Sequence, residues 1–311
     1  MSPPKVSIVL VNWNNFSDTV ECIESLLQVT YMNYEIVVID NCSQGADAIR
    51  LREKFRDNMR LIENDRNVGF AEGCNTGIKD ALSRGSDYIV LLNNDTVVAP
   101  DFLDTLLTSV EKEDRVGIAG GKVYCYEIPD MIWSAGGVID YRTGGAKLIG
   151  SGKTDKNQFE ELIDVDFVSG CFMLISRKVL EDIGLLDKIF FFGWEDADLC
   201  LRAKKRGYRV IFVPGSKIWH KAVPSEKLKR LKGITAYHAT KGQFIFYERH
   251  FTRSQLFTAN IHYFIRFPRL LWNYSHLLGQ RKVPLYMIGG ILSYLGSKFY
   301  KCKRFKVFQA S

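Results

Sequence analysis

The sequence lacks the signatures of several common chemistries. No G-x-x-x-x-G-K-[ST] occurs, which excludes a P-loop. The G-x-G-x-x-G of a dinucleotide-binding turn is missing after the first apolar run, where the chain instead reads VNWNN. Seven cysteines are scattered at 22, 42, 74, 125, 171, 200 and 302, with no C-x-x-C pair. An odd, dispersed set reads as reduced, mostly buried thiols in a cytosolic environment, and argues against a disulfide framework or a cysteine-built zinc site. No window approaches the roughly 18 uninterrupted apolar residues of a membrane-spanning helix. The N-terminus enters a strand at once (KVSIVLV), without the charged region and apolar core of a signal peptide. Acidic residues are scarce at one end: residues 221–311 hold 17 Lys/Arg against 2 Asp/Glu, whereas residues 1–220 hold 25 against 33. The net charge of +7 is therefore −8 plus +15, a mildly acidic body carrying a strongly basic C-terminal region.

What is present is a chain of 311 residues, 46% hydrophobic, with material for one large or two modest domains. Short apolar runs alternate with segments of helical periodicity. KVSIVLV (5–11), EIVVID (35–40), MRLIEN and YIVLLNND (88–95) read as buried strands. Between them lie helices near 17–28, capped by Ser17 or Asp18, and 46–58, and a glycine-rich turn with a helix, RNVGFAEGCNTGIKDAL. Gly69, Gly73 and Gly77, spaced by four, fit close helix packing and not a pyrophosphate turn. Beyond come a helix over 100–113, the strand GIAGGKVYCY, and a long loop or small hairpin over 127–165 covering a site. VDFVSGCFMLISRKVLEDIG, the helix EDADLCLRAKKRG and the strand RVIFVP follow, and Ile218-Trp219-His220 closes the body. Such alternation predicts βαβ units and an α/β fold around a parallel sheet.

The organising strand ends in Asn93, Asn94 and Asp95. Ligands of open α/β sheets bind beyond the carboxyl ends of strands, so a carboxylate there stands at the mouth of a site, although the triplet also has the composition of a plain turn. Glu195, Asp196 and Asp198 cluster at the start of a helix, where capping accounts for one of them, Asp198 among the candidates, and catalysis for another. Trp194 suits either a sugar face or a core.

Taken together, VSIVLVNWNN, VVIDNCS with RNVGFAEGCNTGI, and LLNND followed by FFGWEDADLCLRAKKRGYRV and IWH resemble family 2 glycosyltransferases of the GT-A fold, over roughly residues 5–221. The chain looks most like enzymes that add rhamnose or a similar sugar to cell-surface glycans. The resemblance implies a Rossmann-like GT-A domain over 1–221, with a nucleotide-sugar half near 1–98 and an acceptor half near 99–221. It also implies a nucleoside-diphosphate sugar donor, UDP- or dTDP-linked, a divalent metal (Mn or Mg), and a saccharide or polyprenyl-linked acceptor. Asp95, at the last position of the family's D-x-D-type motif, and His220 become the metal ligands. Asn93 stands where many members have Asp, so the motif supplies one carboxylate, and Asn93 and Asn94 are expected to bond ribose or phosphate. Asp196 of the family's ED motif becomes the general base and Glu195 an orienting or acceptor-binding partner, which predicts inversion at the anomeric carbon. Val11, Asn12, Asp40, Asn67, Gly69, Phe70 and Asn75 match the nucleotide side, and Ser169, Gly170, Cys171 and Trp194 the donor-sugar and acceptor pocket. The single carboxylate of NND keeps a non-catalytic nucleotide-sugar or glycan-binding module as the alternative, and a nucleotidyltransferase is the second.

The remainder, 222–311, reads as a helical extension in which basic residues mix with Trp, Phe and Tyr. Such helices either lie in a membrane interface, where they favour anionic lipids and would put the protein at the inner face of the cell membrane, or pack on the catalytic body with a solvated basic face. Without a groove-reading motif the basic charge does not indicate nucleic acid.

Overall fold

The computed structural model describes residues 3–221, 233–277 and 282–307. The chain begins as alternating strands and helices: β1 (Val6–Asn12), α1 (Phe16–Leu26), β2 (Tyr34–Asp40), α2 (Asp47–Phe55), β3 (Arg60–Glu63), α3 (Phe70–Ser83) and β4 (Tyr88–Asn93). It continues through β5 (Thr96–Val98), α4 (Phe102–Lys112), β6 (Val116–Cys125), β7 (Ile128–Ser134), β8 (Gly137–Asp140), β9 (Gly145–Leu148) and β10 (Ile163–Asp164). Then come β11 (Phe172–Ser176), α5 (Arg177–Ile183), α6 (Glu195–Lys205) and β12 (Arg209–His220). Three helices end the chain: α7 (Gly233–His250), α8 (Arg253–Trp272) and α9 (Val283–Val307).

One mixed sheet runs in the order β10-β12-β6-β11-β4-β1-β2-β3, with β5 added beside β12 and β7 beside β6. Strands β3, β2, β1 and β4 are mutually parallel, and β11 enters antiparallel between β4 and β6. The continuous apolar runs are explained by burial on both faces: Ile8, Leu10, Val37, Val38, Ile89 and Val90 are wholly inaccessible. Helix α3 lies close on this sheet because its glycines carry no Cβ. A Cβ on Gly77 would stand 2.4 Å from a methyl of Val9, well inside contact distance.

Three local expectations change. Helix α1 starts at Phe16, so neither Ser17 nor Asp18 caps it; Asp18 turns to Lys221 instead. The 127–165 stretch holds the expected small hairpin, β8 with β9, and in addition β7 and β10, which join the main sheet. These two escape a pattern search because they are edge strands of two to seven residues with little two-sided burial. Finally, RVIFVP and IWH are one strand, β12, whose register against β6 shifts between Val213 and Lys217. Pro214 falls inside that shift, where a residue without an N–H costs no ladder bond.

The chain divides into two compact units. The first comprises residues 1–139, 146–188 and 195–224; the second comprises residues 140–145, 189–194 and 225–311. Two short segments of the expected catalytic body thus group with the terminal helices. Aromatic packing is the reason: Trp194 lies 4.9 Å from Phe246 between ring centres, Tyr141 lies 5.1 Å from Phe251, and the Tyr247 hydroxyl donates to the Gly144 carbonyl at 3.0 Å. Among the described residues, no helix is long and apolar enough to cross a membrane.

Candidate active site

From β1 the chain moves to β2 and β3 on one side, then returns to place β4 on the other. Parallel sheets open a crevice at the carboxyl ends of the two strands flanking such a reversal. Those ends are Asn12 and Asn93, and Val11 is in register with Asn93. The sequence therefore delivers its polar residues to the one edge where a ligand can reach the sheet.

Asp95 occupies the turn between β4 and β5. Strand β12 runs antiparallel to β5 with His220 opposite Thr96, which carries the imidazole to that turn. The Nε2 of His220 lies 3.0 Å from Oδ1 of Asp95 and 3.3 Å from Nδ2 of Asn93. The ring is buried, with the edge of Trp133 against it at 5.0 Å between centres, and its Nδ1 has no hydrogen-bond partner. Lys221 secures the same place: its N–H donates to the Asp95 carbonyl at 3.0 Å, and its ammonium donates to Asp18 and Glu21 at 2.5 and 2.6 Å. Partial burial opposes the charge on Lys221, but the two carboxylates outweigh it and raise its pKa above the usual lysine range. Hydrogen bonds from Lys221 and Tyr126 hold Glu21 below the usual carboxylate range.

This pair fits a divalent cation. A carboxylate oxygen and an imidazole nitrogen are suitable donors, and at 3.0 Å from one another they are close enough to share one cation. Among the described residues no group of three or more His, Cys, Asp or Glu could hold a metal alone. A cation held by this pair would have to draw its other ligands from a bound molecule or from water.

Asp196 reaches the crevice by a different route. The first residues of β11 lie beside the end of β4, where the Asn93 N–H donates to the Cys171 carbonyl at 3.0 Å. One residue earlier, the Gly170 N–H donates to Oδ2 of Asp196 at 3.0 Å. The distant acids at 95 and 196 are thus joined through one strand end. Gly170 allows the approach: a Cβ there would stand 3.5 Å from the Asp196 Cβ and 3.3 Å from the Phe70 ring. A partly exposed carboxylate and an Asp–His pair therefore stand at neighbouring strand ends, a set of groups that suits an ionic leaving group and an activated hydroxyl.

The family described as glycosyltransferase like family 2 matches residues 3–237. The chain belongs to that family. Curated relatives include the dTDP-rhamnosyl transferase RfbF of Shigella flexneri, 24% identical over 63% of this chain and 62% of the relative. Another is the low-salt glycan biosynthesis hexosyltransferase Agl10 of Haloferax volcanii, 27% identical over 66% of this chain and 63% of the relative. The galactofuranosyltransferase GlfT2 of Mycolicibacterium smegmatis is 23% identical over 70% of this chain and 37% of the relative, so the chain spans between about a third and just under two thirds of the length of these relatives. Among solved structures, the mannosyltransferase PcManGT of Pyrobaculum calidifontis, in complex with GDP-Man and Mn2+, gives a TM-score of 0.57 at 17% identity, covering 96% of this chain and 89% of that one. GalNAc-T7 with UDP, GalNAc and Mn2+ gives 0.62 at 18% identity, covering 88% and 58%. These likenesses show a GT-A fold for this chain.

The other residues expected on the nucleotide side are in several cases engaged with the chain itself. Asp40 is buried and accepts from Asn12 Nδ2 and the Ser43 N–H, both at 2.9 Å. Asn94 donates to Thr19 at 2.7 Å and to Asn12 at 3.3 Å, tying the turn after β4 to α1 and β1. Asn67 accepts from the Gly69 N–H at 2.9 Å, and Gly69 (φ 85°) adopts the left-handed backbone that starts α3 and aims Phe70. The Asn75 amide is spent on the main chain of Leu186, donating at 2.8 Å and accepting at 3.1 Å. Ser169 and Cys171 flank Gly170, and Cys171 is buried. Trp194 belongs to the second unit, against Phe246 and Tyr247. Glu195 is buried; its charge adds to burial in raising the Cys74 thiol well above its ordinary pKa, which places the carboxylate towards α3. Asp198, in the first turn of α6, is fully buried and accepts from Arg202 at 2.8 Å.

Three residues of consequence lie outside the set expected from the sequence, and two of them, Asn41 and Lys221, carry no sequence signal of their own. Asn41 donates to Asn67 and the Gly69 carbonyl and accepts from Asn64 and Val68, fixing the loop before α3. Lys221 braces the Asp95 turn. Lys122, wholly buried in β6, donates to Asp155 at 2.9 Å and Glu160 at 2.6 Å. A lysine inside the apolar strand GIAGGKVYCY was the available hint for the last.

Proposed function

We propose that this transferase moves a sugar from a UDP- or dTDP-linked donor to a saccharide hydroxyl, with inversion and with a divalent cation. The single observation supporting it is the convergence of Asp95–His220 and Asp196 about one strand end, through the Asn93–Cys171 and Gly170–Asp196 hydrogen bonds. A cation held by Asp95 and His220 would stabilise the departing nucleoside diphosphate as a Lewis acid, an effect of several kcal/mol. Asp196 accepts the proton of the incoming hydroxyl, and the Gly170 N–H steadies the carboxylate on its Oδ2. Direct attack by that hydroxyl on the anomeric carbon is one displacement, hence inversion. Asn12, Asp40, Asn67 and Phe70 line the nucleotide side, and Ser169, Gly170 and Cys171 the sugar side.

Rhamnose or a related sugar as donor draws support from the name of the Shigella relative, and a surface glycan or polyprenyl-linked acceptor from the glycan-biosynthesis name of the Haloferax relative. An acceptor anchored in lipid requires work at a membrane face, with the basic helices of the second unit as the contact. The test is a screen of nucleotide-sugars with Mn2+ or Mg2+, and with a chelator, for release of nucleoside diphosphate. Metal-dependent release from a UDP- or dTDP-sugar is expected. Release of pyrophosphate would identify a nucleotidyltransferase, and binding without turnover in the presence of any saccharide acceptor would leave a binding module.

A further inference from the structure

Helix α8 is apolar on two opposite sides. Its inner side is accounted for: Ala259 and Tyr263 are buried, and Phe267 and Leu270 pack on the cluster of Ala236, Tyr274, Val283 and Met287. The outer side carries Phe257, Ile261, Phe264, Ile265 and Trp272, all exposed, with Ile265 at 72% and Phe257 at 65%. Steps of four, three, one and seven put them on one stripe. The first four, with Asn260, line an open groove of ≈ 500 Å³. A surface helix in water presents a polar outer side, and one that is apolar all round is expected in a core or against lipid. Helix α9 repeats the feature: Leu285, Ile288, Leu292 and Leu295 recur at helical spacing on an exposed side.

We propose that the outer stripe of α8, together with that of α9, docks on an anionic lipid bilayer surface. Charge selects this occupant. Residues 221–311 hold 17 Lys/Arg and 2 Asp/Glu, and Arg253, Arg266 and Arg269 are exposed along α8 itself. An apolar stripe edged by arginines and ended by Trp272 matches the headgroup boundary, where aromatic and basic side chains anchor and each basic residue adds attraction to anionic lipid. A second copy of this chain would bring the same positive charge to the contact, which opposes self-association. With no helix among the described residues able to cross a bilayer, the contact lies in the interface plane. The inference deepens the proposed function, on which it rests for its biological setting, by naming the face and the lipid chemistry; its test does not require transfer.

Flotation of the full chain with phosphatidylcholine vesicles, with and without phosphatidylglycerol, decides the matter. Expected is preferential binding to the anionic vesicles, weakened by salt, and reduced about tenfold or more by Phe257→Glu with Ile265→Glu. Both positions are exposed, so circular dichroism and metal-dependent nucleotide binding should match the wild type. Unchanged vesicle binding in that variant would overturn the proposal, as would equal binding to neutral vesicles. A wild type that ignores both vesicles yet releases nucleoside diphosphate overturns the docking and leaves the transferase reading intact. Anionic binding without any release does the reverse. Loss of a dimer in the variant, with vesicle binding unaltered, would assign the stripe to a second copy and overturn the bilayer.

Discussion

Replacing Gly170 with alanine perturbs the approach of Asp196 to the sheet by a calculable amount. The glycine does not have the left-handed backbone, so alanine meets no conformational penalty there. The new methyl would lie 3.5 Å from the Asp196 Cβ, an ordinary contact, and 3.3 Å from the Phe70 ring, which must yield by a few tenths of an ångström. Crowding of this kind costs about 1 kcal/mol, and the reduced freedom of the unfolded chain returns about 0.5 kcal/mol, so stability should change little. Catalysis is less forgiving. A displacement of about 1 Å can cost about a hundredfold, so a shift of a few tenths at Phe70, passed on to the Gly170–Asp196 contact, should lower kcat by up to about tenfold. Steady-state transfer beside a thermal melt measures both. Wild-type kcat with a wild-type melt would refute the claim that Gly170 sets the position of the base, and a collapsed melt would show the site to be structural.

Lys122→Met should destabilise the fold by about 3 kcal/mol in urea titration, since it leaves Asp155, largely buried, without its cation. Stability should also fall in acid. Burial works to raise the Asp155 pKa, but bonds from Tyr124 and Lys122 prevail and hold it low, and Lys221 and Tyr126 hold Glu21 low. Both groups have folded pKa values below their unfolded ones, so their contribution is complete above the ordinary carboxylate range and is lost as pH falls through the depressed values. Urea midpoints that stay level from neutral pH down through that range would contradict this. Thiol labelling should separate Cys42, which is exposed, from Cys22, whose pKa burial pushes up to about 12. At mildly alkaline pH Cys42 should react promptly and Cys22 only on unfolding; prompt reaction at Cys22 would show the packing under β4 to be loose.

The main strands were legible because β1, β2 and β4 are buried on both faces and appear as unbroken apolar runs. Short edge strands such as β8 and β10 leave no such trace, and β12 was split by Pro214, whose lost hydrogen bond falls at a register shift. Trp194 and Tyr141 joined the second unit through rings more than fifty and a hundred residues away, and no local pattern encodes such pairings. At the candidate site, the residue types at the strand ends already carried the chemistry proposed above. Their meeting was not legible there: it depends on β11 inserting antiparallel beside β4, which brings Gly170 to Asp196. Buried polar braces were the least visible of all. Asn41 reads as one more turn residue until four hydrogen bonds show what it holds.

Asp95 and Asp196 are assigned separable duties at one crevice, and calorimetric titration of UDP and dTDP with and without Mn2+ distinguishes them. The wild type should bind one nucleotide more tightly with the metal. Asp95→Asn should lose most of that metal-dependent gain, about tenfold or more in Kd, while Asp196→Asn should keep it and lose only transfer. Equal metal dependence in Asp95→Asn, or its loss in Asp196→Asn, would contradict the division of labour between the two carboxylates.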